Sequence, residues 1–293
     1  MPCLPKVNLT RRVTFSSGHR YWSEGLSEQE NKLLFGSSAS AFNHGHNYIL
    51  DVTVAGATNP ITGMVVNIKK LDDLIRASVV KPFDLKSLND EVPEFALNVP
   101  TLENLLEVIR QRLADGNNTL SFTTELGGTT TVDLIALRLE EMPTLWATWK
   151  SPKMPDQTLT LTRSFEFAAA HRLHLKGLSD EENLRLFGKC NNPTGHGHNY
   201  ILEVTVTGDL NKETGMIVDL AQLDKIVNRE IVDRYDHHFL NSDLSEFKNL
   251  PTTTEYVTLE IFKRLKSSLP FTLTSVKLYE TARNAFEVRS DDF

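Results

Sequence analysis

In the second half of the chain, residues 159–168 alternate apolar and polar side chains, the pattern of a half-buried strand. Residues 200–206 are rich in strand formers. Gly215-Met216-Ile217-Val218 closes a turn, and Asp219 stands where a carboxylate caps a helix. Leu220, Leu223, Ile226, Val227 and Ile231 then recur at helical spacing. Thr252-Thr253-Thr254 opens a second helix carrying Val257, Ile261, Phe262 and Leu265. Residues 276–280 and 285–288 predict a closing hairpin. The order is strand, strand, helix, helix, strand, strand. It predicts an α+β fold, an antiparallel sheet with helices on one face. The free edges of such a sheet favour pairing between modules into β-barrels.

This pattern is written twice. Residues 13–113 align without a gap on residues 165–265, each position 152 residues before its partner. Within residues 44–56 and 196–208, eleven of thirteen residues are identical. A period this long marks a duplicated domain, not a solenoid unit. After Leu113 the first repeat has 13 additional residues, and Gly127-Gly128 between alternating runs predicts a tight hairpin there. Ser151-Pro152-Lys153-Met154-Pro155-Asp156 combines two prolines with no apolar period, and reads as a linker. The predicted organisation is a tail over residues 1–12, a module over 13–149, a linker over 150–157 and a module over 158–293.

Composition narrows the class. The length of 293 residues suits about two domains. A net charge of -7 disfavours a nucleic-acid partner. Cys3 and Cys190 are the two cysteines, and Cys3 has no counterpart in the repeat, so a reducing compartment is expected. The first residues lack the apolar stretch of a signal peptide, and no run is long and apolar enough to cross a membrane. The expected location is cytoplasmic, with no membrane partner.

The histidines carry the candidate chemistry. His19, His44 and His46 recur as His171, His196 and His198. A His-x-His pair on a strand points both rings to one face. Three neutral imidazoles without a thiolate suit zinc with an open fourth position, the catalytic type. The first repeat keeps these ligands and is a second candidate metal site. His174 is matched by Trp22 and reads as a loop residue.

Two further features occur only in the second repeat. Cys190 sits in a polar loop six residues before His196, where zinc and a histidine favour the thiolate. Asp236-His237 supplies a proton-exchanging pair, with His238 as the alternative ring. The first repeat has Ser38, Asp84 and Leu85 at these positions. A thiol hydrolase built on cysteine, histidine and aspartate would leave the zinc set unused. Glu280, with Glu141 as its counterpart, reads by itself as an exposed strand carboxylate. Thr253, Thr254 and Glu255 read by themselves as the first turn of a helix.

The stretch from Phe187 to Tyr200, with Cys190 placed before His196-Gly197-His198, resembles the 6-pyruvoyl-tetrahydropterin synthase family. So do Leu178-Ser179-Asp180-Glu181-Glu182-Asn183, Thr214-Gly215-Met216 and Tyr279-Glu280-Thr281. The resemblance covers residues 164–289. It implies tandem ββααββ modules of the tunnelling fold, which close barrels in threes and stack in pairs. It also implies zinc-dependent loss of triphosphate from 7,8-dihydroneopterin triphosphate with internal redox of the side chain, a step of tetrahydrobiopterin formation. His171, His196 and His198 would hold Zn2+, Cys190 would be the base, and Asp236 and His237 would relay protons. Glu280 would accept the pterin amino group and ring N–H, with Thr253, Thr254 and Glu255 at the same pocket. Mg2+ is the ordinary companion of a triphosphate.

The first repeat resembles the same family but has lost its base and relay, which predicts a silent module. The family builds each site from neighbouring subunits. Cys190 and His237 both lie in the second repeat, so a complete site needs second repeats to meet. A homotrimer follows, with one barrel of each repeat. Two other enzyme readings are a 6-carboxy-tetrahydropterin synthase and a dihydroneopterin side-chain cleavage, and the cysteine spacing weighs against both. A non-catalytic pterin- or metal-binding protein fits the first repeat but leaves Cys190, Asp236 and His237 without a role. Lys189 and Arg172 lie near the motifs as candidate triphosphate contacts.

Overall fold

The computed structural model describes residues 6–124, 127–154, 159–248 and 250–292. Its contacts divide the chain into two units, one of residues 1–161 with 208–219, the other of residues 162–207 with 220–293. The division departs from the predicted boundaries, because residues 208–219 of the second repeat pack with the first. Thr101 Oγ1 donates to the Gly215 carbonyl at 2.5 Å, and Ile217 N–H donates to Glu103 Oε1 at 3.1 Å. Met216 completes an apolar cluster with Tyr21, Phe35 and Val99.

In the first unit, β1 (Lys6–His19) pairs antiparallel with β2 (His44–Ala57) along its whole length, His19 opposite His44. Residues 6–12 therefore belong to a strand and not to a tail. Thr10 and Thr53 share a hydrogen bond across this pair, and Arg12 grips Asp51 with two bonds of 2.7 Å. The two-residue β3 (Lys86–Ser87) runs parallel to β1. β4 (Thr119–Thr123) and β6 (Leu145–Lys150) both pair with β5 (Thr129–Met142), which pairs with β2. The predicted hairpin is thus present as β4 and β5, with Gly127 at φ +80° in its turn. Lys150, predicted to open the linker, ends β6, and Ser151 is buried; residues 155–158 of the linker lie outside the described residues.

The second unit repeats the plan. β7 (Leu159–His171), β8 (His196–Thr207), β10 (Thr272–Thr281) and β11 (Asn284–Arg289) are neighbours in that order, and β9 (His238–Phe239) lies parallel to β7. Helices Leu220–Val227 and Thr254–Ser268 lie where the apolar stripes predict them. Leu223, Val227, Val257, Ile261, Phe262 and Leu265 are buried. The fold class is α+β as expected. The strands of each unit form an open sheet.

Neither repeat was expected to carry a helix between its first two strands, yet both do, at Glu28–Phe35 and Asp180–Phe187. Each starts with a capping box, Ser27 with Glu30 and Ser179 with Glu182. A fully buried asparagine anchors each loop. Asn183 Nδ2 donates to the carbonyls of Leu175, Leu178 and Ser179, and Asn31 does the same for Ser23, Leu26 and Ser27. Buried amides are retained when their bonds are satisfied in this way.

Candidate active site

β7 ends on His171, and β8 begins at His196 and carries His198 two residues on. The strand period turns His196 and His198 to one face, where the end of β7 brings His171 against them. His171 Nε2 lies 3.2 Å from His196 Nε2. One ligand atom from each ring falls within 4.8 Å of the others. His171 is almost fully buried, and its Nδ1 meets the Thr252 carbonyl at 2.7 Å. This bond fixes the tautomer and frees Nε2, as an outer partner does for a metal-bound histidine. Burial lowers the His171 and His198 pKa values, keeping both rings neutral as ligands must be. His198 Nε2 is buried with no hydrogen-bond partner. This donor set fits a zinc ion.

Glu280 on β10 faces the same cluster. Its Oε1 lies 3.8 Å from the Nε2 atoms of both His171 and His198. Thr254 Oγ1 donates to Glu280 Oε1 at 2.6 Å. Burial pushes this carboxyl up, but the Thr254 bond and the nearby His198 outweigh it, so its pKa falls below the ordinary value. The exposed-carboxylate reading of Glu280 is therefore replaced by a half-buried, oriented group. Thr253 takes the N-cap position of the helix without a side-chain cap bond, and Glu255 is exposed in its first turn.

Asp236 and His237 stand between the short helix Asp233–Tyr235 and β9. Asp236 Oδ1 accepts from Ala168 N–H at 2.7 Å, and Oδ2 meets His237 Nδ1 at 2.7 Å. The Ala168 bond, followed by His237, lowers the Asp236 pKa. His237 adopts a left-handed φ of +59°, which costs a non-glycine residue about 1–2 kcal/mol. The kink leaves its ring 84% exposed, at a cleft of about 660 Å3 shared with Gly197, His198, Asn199 and Phe239. His238 turns instead to the Asp236 carbonyl through Nδ1, which favours His237 as the dyad ring.

Cys190 is not part of the histidine cluster. It lies in a 3-10 turn, Gly188–Asn191, whose carbonyl at Cys190 accepts from Leu173 N–H at 2.9 Å. Among the described residues lining the cleft with His237, Cys190 is not included. The histidines, Glu280 and Thr254 form one cluster, and its His198 shares a cleft with His237 of the dyad. His174 stays a loop residue, bonded through Nδ1 to Asn191.

The first repeat preserves the frame. His19, His44 and His46 form an equivalent cluster, with His19 Nδ1 held by the Pro100 carbonyl at 2.9 Å. Burial, the largest influence, lowers the His19 pKa to about 3. Glu141 stands where Glu280 does, 3.5 Å from His46 Nε2 and 4.0 Å from His19 Nε2. Asp84 repeats the Asp236 bond by accepting from Ser16 N–H, and Leu85 repeats the left-handed kink at φ +58°. Ser38 occupies the 3-10 turn of Cys190, and Leu102 replaces Thr254. The carbonyls of Thr252 and Pro100, which orient the buried histidines, escaped the sequence reading; a backbone acceptor some 80 residues from its ring carries no local signal.

Comparison with known proteins places the sequence in a family. A family described as 6-pyruvoyl tetrahydropterin synthase matches residues 8–152 and again residues 160–291. Human 6-pyruvoyl tetrahydrobiopterin synthase is 48% identical over 125 residues, 42% of this chain and 86% of that protein. The Drosophila melanogaster protein of the same name is 44% identical over 131 residues, 44% of this chain and 78% of that one. A 6-carboxy-5,6,7,8-tetrahydropterin synthase of Haemophilus influenzae is 30% identical over 141 residues, 41% of this chain and 92% of that one. The solved 6-pyruvoyl tetrahydropterin synthase of Caenorhabditis elegans is similar at 41% identity and a TM-score of 0.43, covering 45% of this chain and 94% of that one. With both repeats matched over nearly their whole length, the chain belongs to the 6-pyruvoyl tetrahydropterin synthase family.

Proposed function

We propose that this chain is a carbon–oxygen lyase, a 6-pyruvoyl-tetrahydropterin synthase acting on 7,8-dihydroneopterin triphosphate, with its chemistry in the second repeat. The observation that carries the reading is the Asp236–His237 dyad, hydrogen-bonded and kinked toward the cleft beside His198. A pterin- or metal-binding scaffold has no use for an oriented, strained and exposed histidine.

Glu280, aimed by Thr254, would accept the pterin amino group and ring N–H as a bidentate pair. Thr253 and Glu255 border the same end of the helix. Zinc held by His171, His196 and His198 would polarise the side-chain hydroxyl oxygens when bound. Cys190 would take the proton from the side-chain carbon next to the ring. His237, oriented by Asp236, would return and remove protons at the neighbouring oxygens. The C–O bond to triphosphate breaks with its electron pair on the leaving group. Two side-chain carbinols become carbonyls, the terminal carbon becomes a methyl, and the ring gains two hydrogens. The redox change is internal and needs no outside oxidant.

The assembly belongs to the same proposal: three chains, with the thiol of one chain meeting the dyad of another. Mg2+ would travel with the triphosphate, and a reducing cytoplasm would keep Cys190 as a thiol. His19, His44 and His46 would hold a second zinc ion without catalysis. Incubation with 7,8-dihydroneopterin triphosphate, read by mass spectrometry, tests the reading. Released triphosphate with a pyruvoyl product, abolished by a chelator, supports it. A carboxy product, side-chain cleavage, or tight binding without turnover would replace it with one of the other readings.

A further inference from the structure

A second cleft, of about 480 Å3, opens beside the histidine cluster in the same unit. Arg172, His174, Lys176 and Lys248 line it, with Phe239 and Pro251. Arg172 directly follows His171, and Phe239 also lines the cleft that holds His237, so the two clefts share a wall. Among the described residues, none of the three cations forms an ion pair. Arg172 Nε reaches the Asn191 carbonyl and side-chain oxygen at 3.2 Å, and Lys176 Nζ reaches the Lys248 carbonyl at 3.4 Å. These neutral partners position the side chains without cancelling their charge. The nearby Asp243 carboxylate is turned to Phe239 N–H and the Ser242 hydroxyl.

The first repeat shows the same place neutralised. Arg20, the counterpart of Arg172, is clamped by Asp90 at 2.9 and 3.0 Å and by Glu24 at 3.0 Å. At the positions of Asp90 and Glu24 the second repeat has Ser242 and Lys176. It has His174 where the first has Trp22, and Lys248 where the first has Ala96. Each of these four differences takes away a negative charge or adds a group able to bear a positive one. In the first repeat a protein carboxylate fills the position facing the arginine. In the second that position is left to an external anion. Three unpaired cations around one concavity repel one another and raise the affinity for a multiply charged anion.

We propose that this cleft is a polyphosphate site, in which Arg172, Lys176 and Lys248 hold the triphosphate group of the substrate. The identification of the anion as the leaving group rests on the synthase reading, whereas anion binding as such does not. Arg172 supplies the planar fork suited to phosphate oxygens, and the two lysines supply mobile point charges. The site would fasten the leaving group beside the histidine cluster while the pterin reaches toward Glu280.

Calorimetric titration of the full-length protein with inorganic tripolyphosphate tests this. Lys176→Glu and Lys248→Ala restore the residues of the first repeat at exposed positions, and unchanged melting curves confirm that both variants fold. Each single variant should weaken tripolyphosphate about tenfold, and the double variant about a hundredfold. Lys225→Ala, at an exposed position of the helix Leu220–Val227 and outside the cleft, should leave binding unchanged. Dihydroneopterin without phosphates should bind the double variant as it binds the original chain. Equal tripolyphosphate affinity for the double variant and the original chain would overturn the proposal, as would an equal loss in Lys225→Ala. Lysine-dependent tripolyphosphate binding in a chain that fails to turn over the triphosphate substrate would keep the site and sink the synthase reading. Turnover whose KM ignores the double substitution would do the reverse.

Discussion

Leu85 and His237 occupy the same kink in the two repeats, at φ +58° and +59°. Each donates its N–H at 2.6 Å to the strand beside it, Leu85 to Ser16 and His237 to Ala168. The aspartate before each accepts from the N–H of that same strand residue, Asp84 from Ser16 and Asp236 from Ala168. A leucine gains nothing from the left-handed conformation and is 82% exposed there. The same backbone conformation is thus present in both repeats, with an imidazole on it in only one. The comparison separates what a duplicated module keeps from what it loses. Hydrogen-bonded frame, metal-type histidines and strand register persist. Thiol, relay ring, threonine hydroxyl and unpaired cations differ.

The comparison can be broken first at the relay. His237→Leu makes the second repeat equal to the first at this position, and turnover should fall by roughly 10²–10⁴. Leu85→Ala should leave turnover unchanged. A small effect of His237→Leu would remove the dyad from the chemistry.

Next comes Glu103, buried against the 208–219 segment, whose pKa burial raises to about 7. Its counterpart Glu255 is exposed. A carboxyl with a raised folded pKa binds its proton more tightly in the folded chain. Its stabilising contribution is complete below the unfolded value near 4.5 and is lost as pH rises through about 7. The shift corresponds to an upper limit of about 3 kcal/mol. Glu103→Gln should flatten the fall in melting temperature between pH 5 and 8, while Glu255→Gln should leave it in place. Identical profiles for the two variants would contradict the burial difference.

The smallest effect belongs to the kink itself. Leu85→Gly should stabilise the protein by about 0.5–1 kcal/mol, since glycine enters the left-handed region without steric cost. His237→Gly should stabilise similarly and abolish turnover. Denaturant midpoints check both, and a destabilised Leu85→Gly would show that its side chain contributes packing that exposure conceals.

The sequence made the histidine sets legible because repetition turns single residues of ordinary type into a spaced pattern. The helices at residues 220 and 254 were legible from their apolar stripes. The helices after Ser27 and Ser179 were missed because their buried residues are few, Asn183 alone in one and Asn31 with Phe35 in the other. Their capping boxes were the available signal. Residues 6–12 looked like a tail because the register of the repeat ends at Val13 and two arginines interrupt the apolar pattern. Cross-strand bonds such as Arg12 to Asp51 hold that segment, and they become visible only when β2 is beside it. The phosphate-type cleft was half visible through Arg172. Lys248 lies 76 residues farther along, and its meaning depends on which carboxylates are absent.

The central claim is that one repeat performs the chemistry and the other does not. Single-turnover measurement of triphosphate release from 7,8-dihydroneopterin triphosphate, with Cys190→Ala and Ser38→Ala side by side, tests it most directly. The account predicts a loss of about 10³-fold or more in Cys190→Ala and the full rate in Ser38→Ala. Equal losses in the two variants, or full activity in Cys190→Ala, would contradict it.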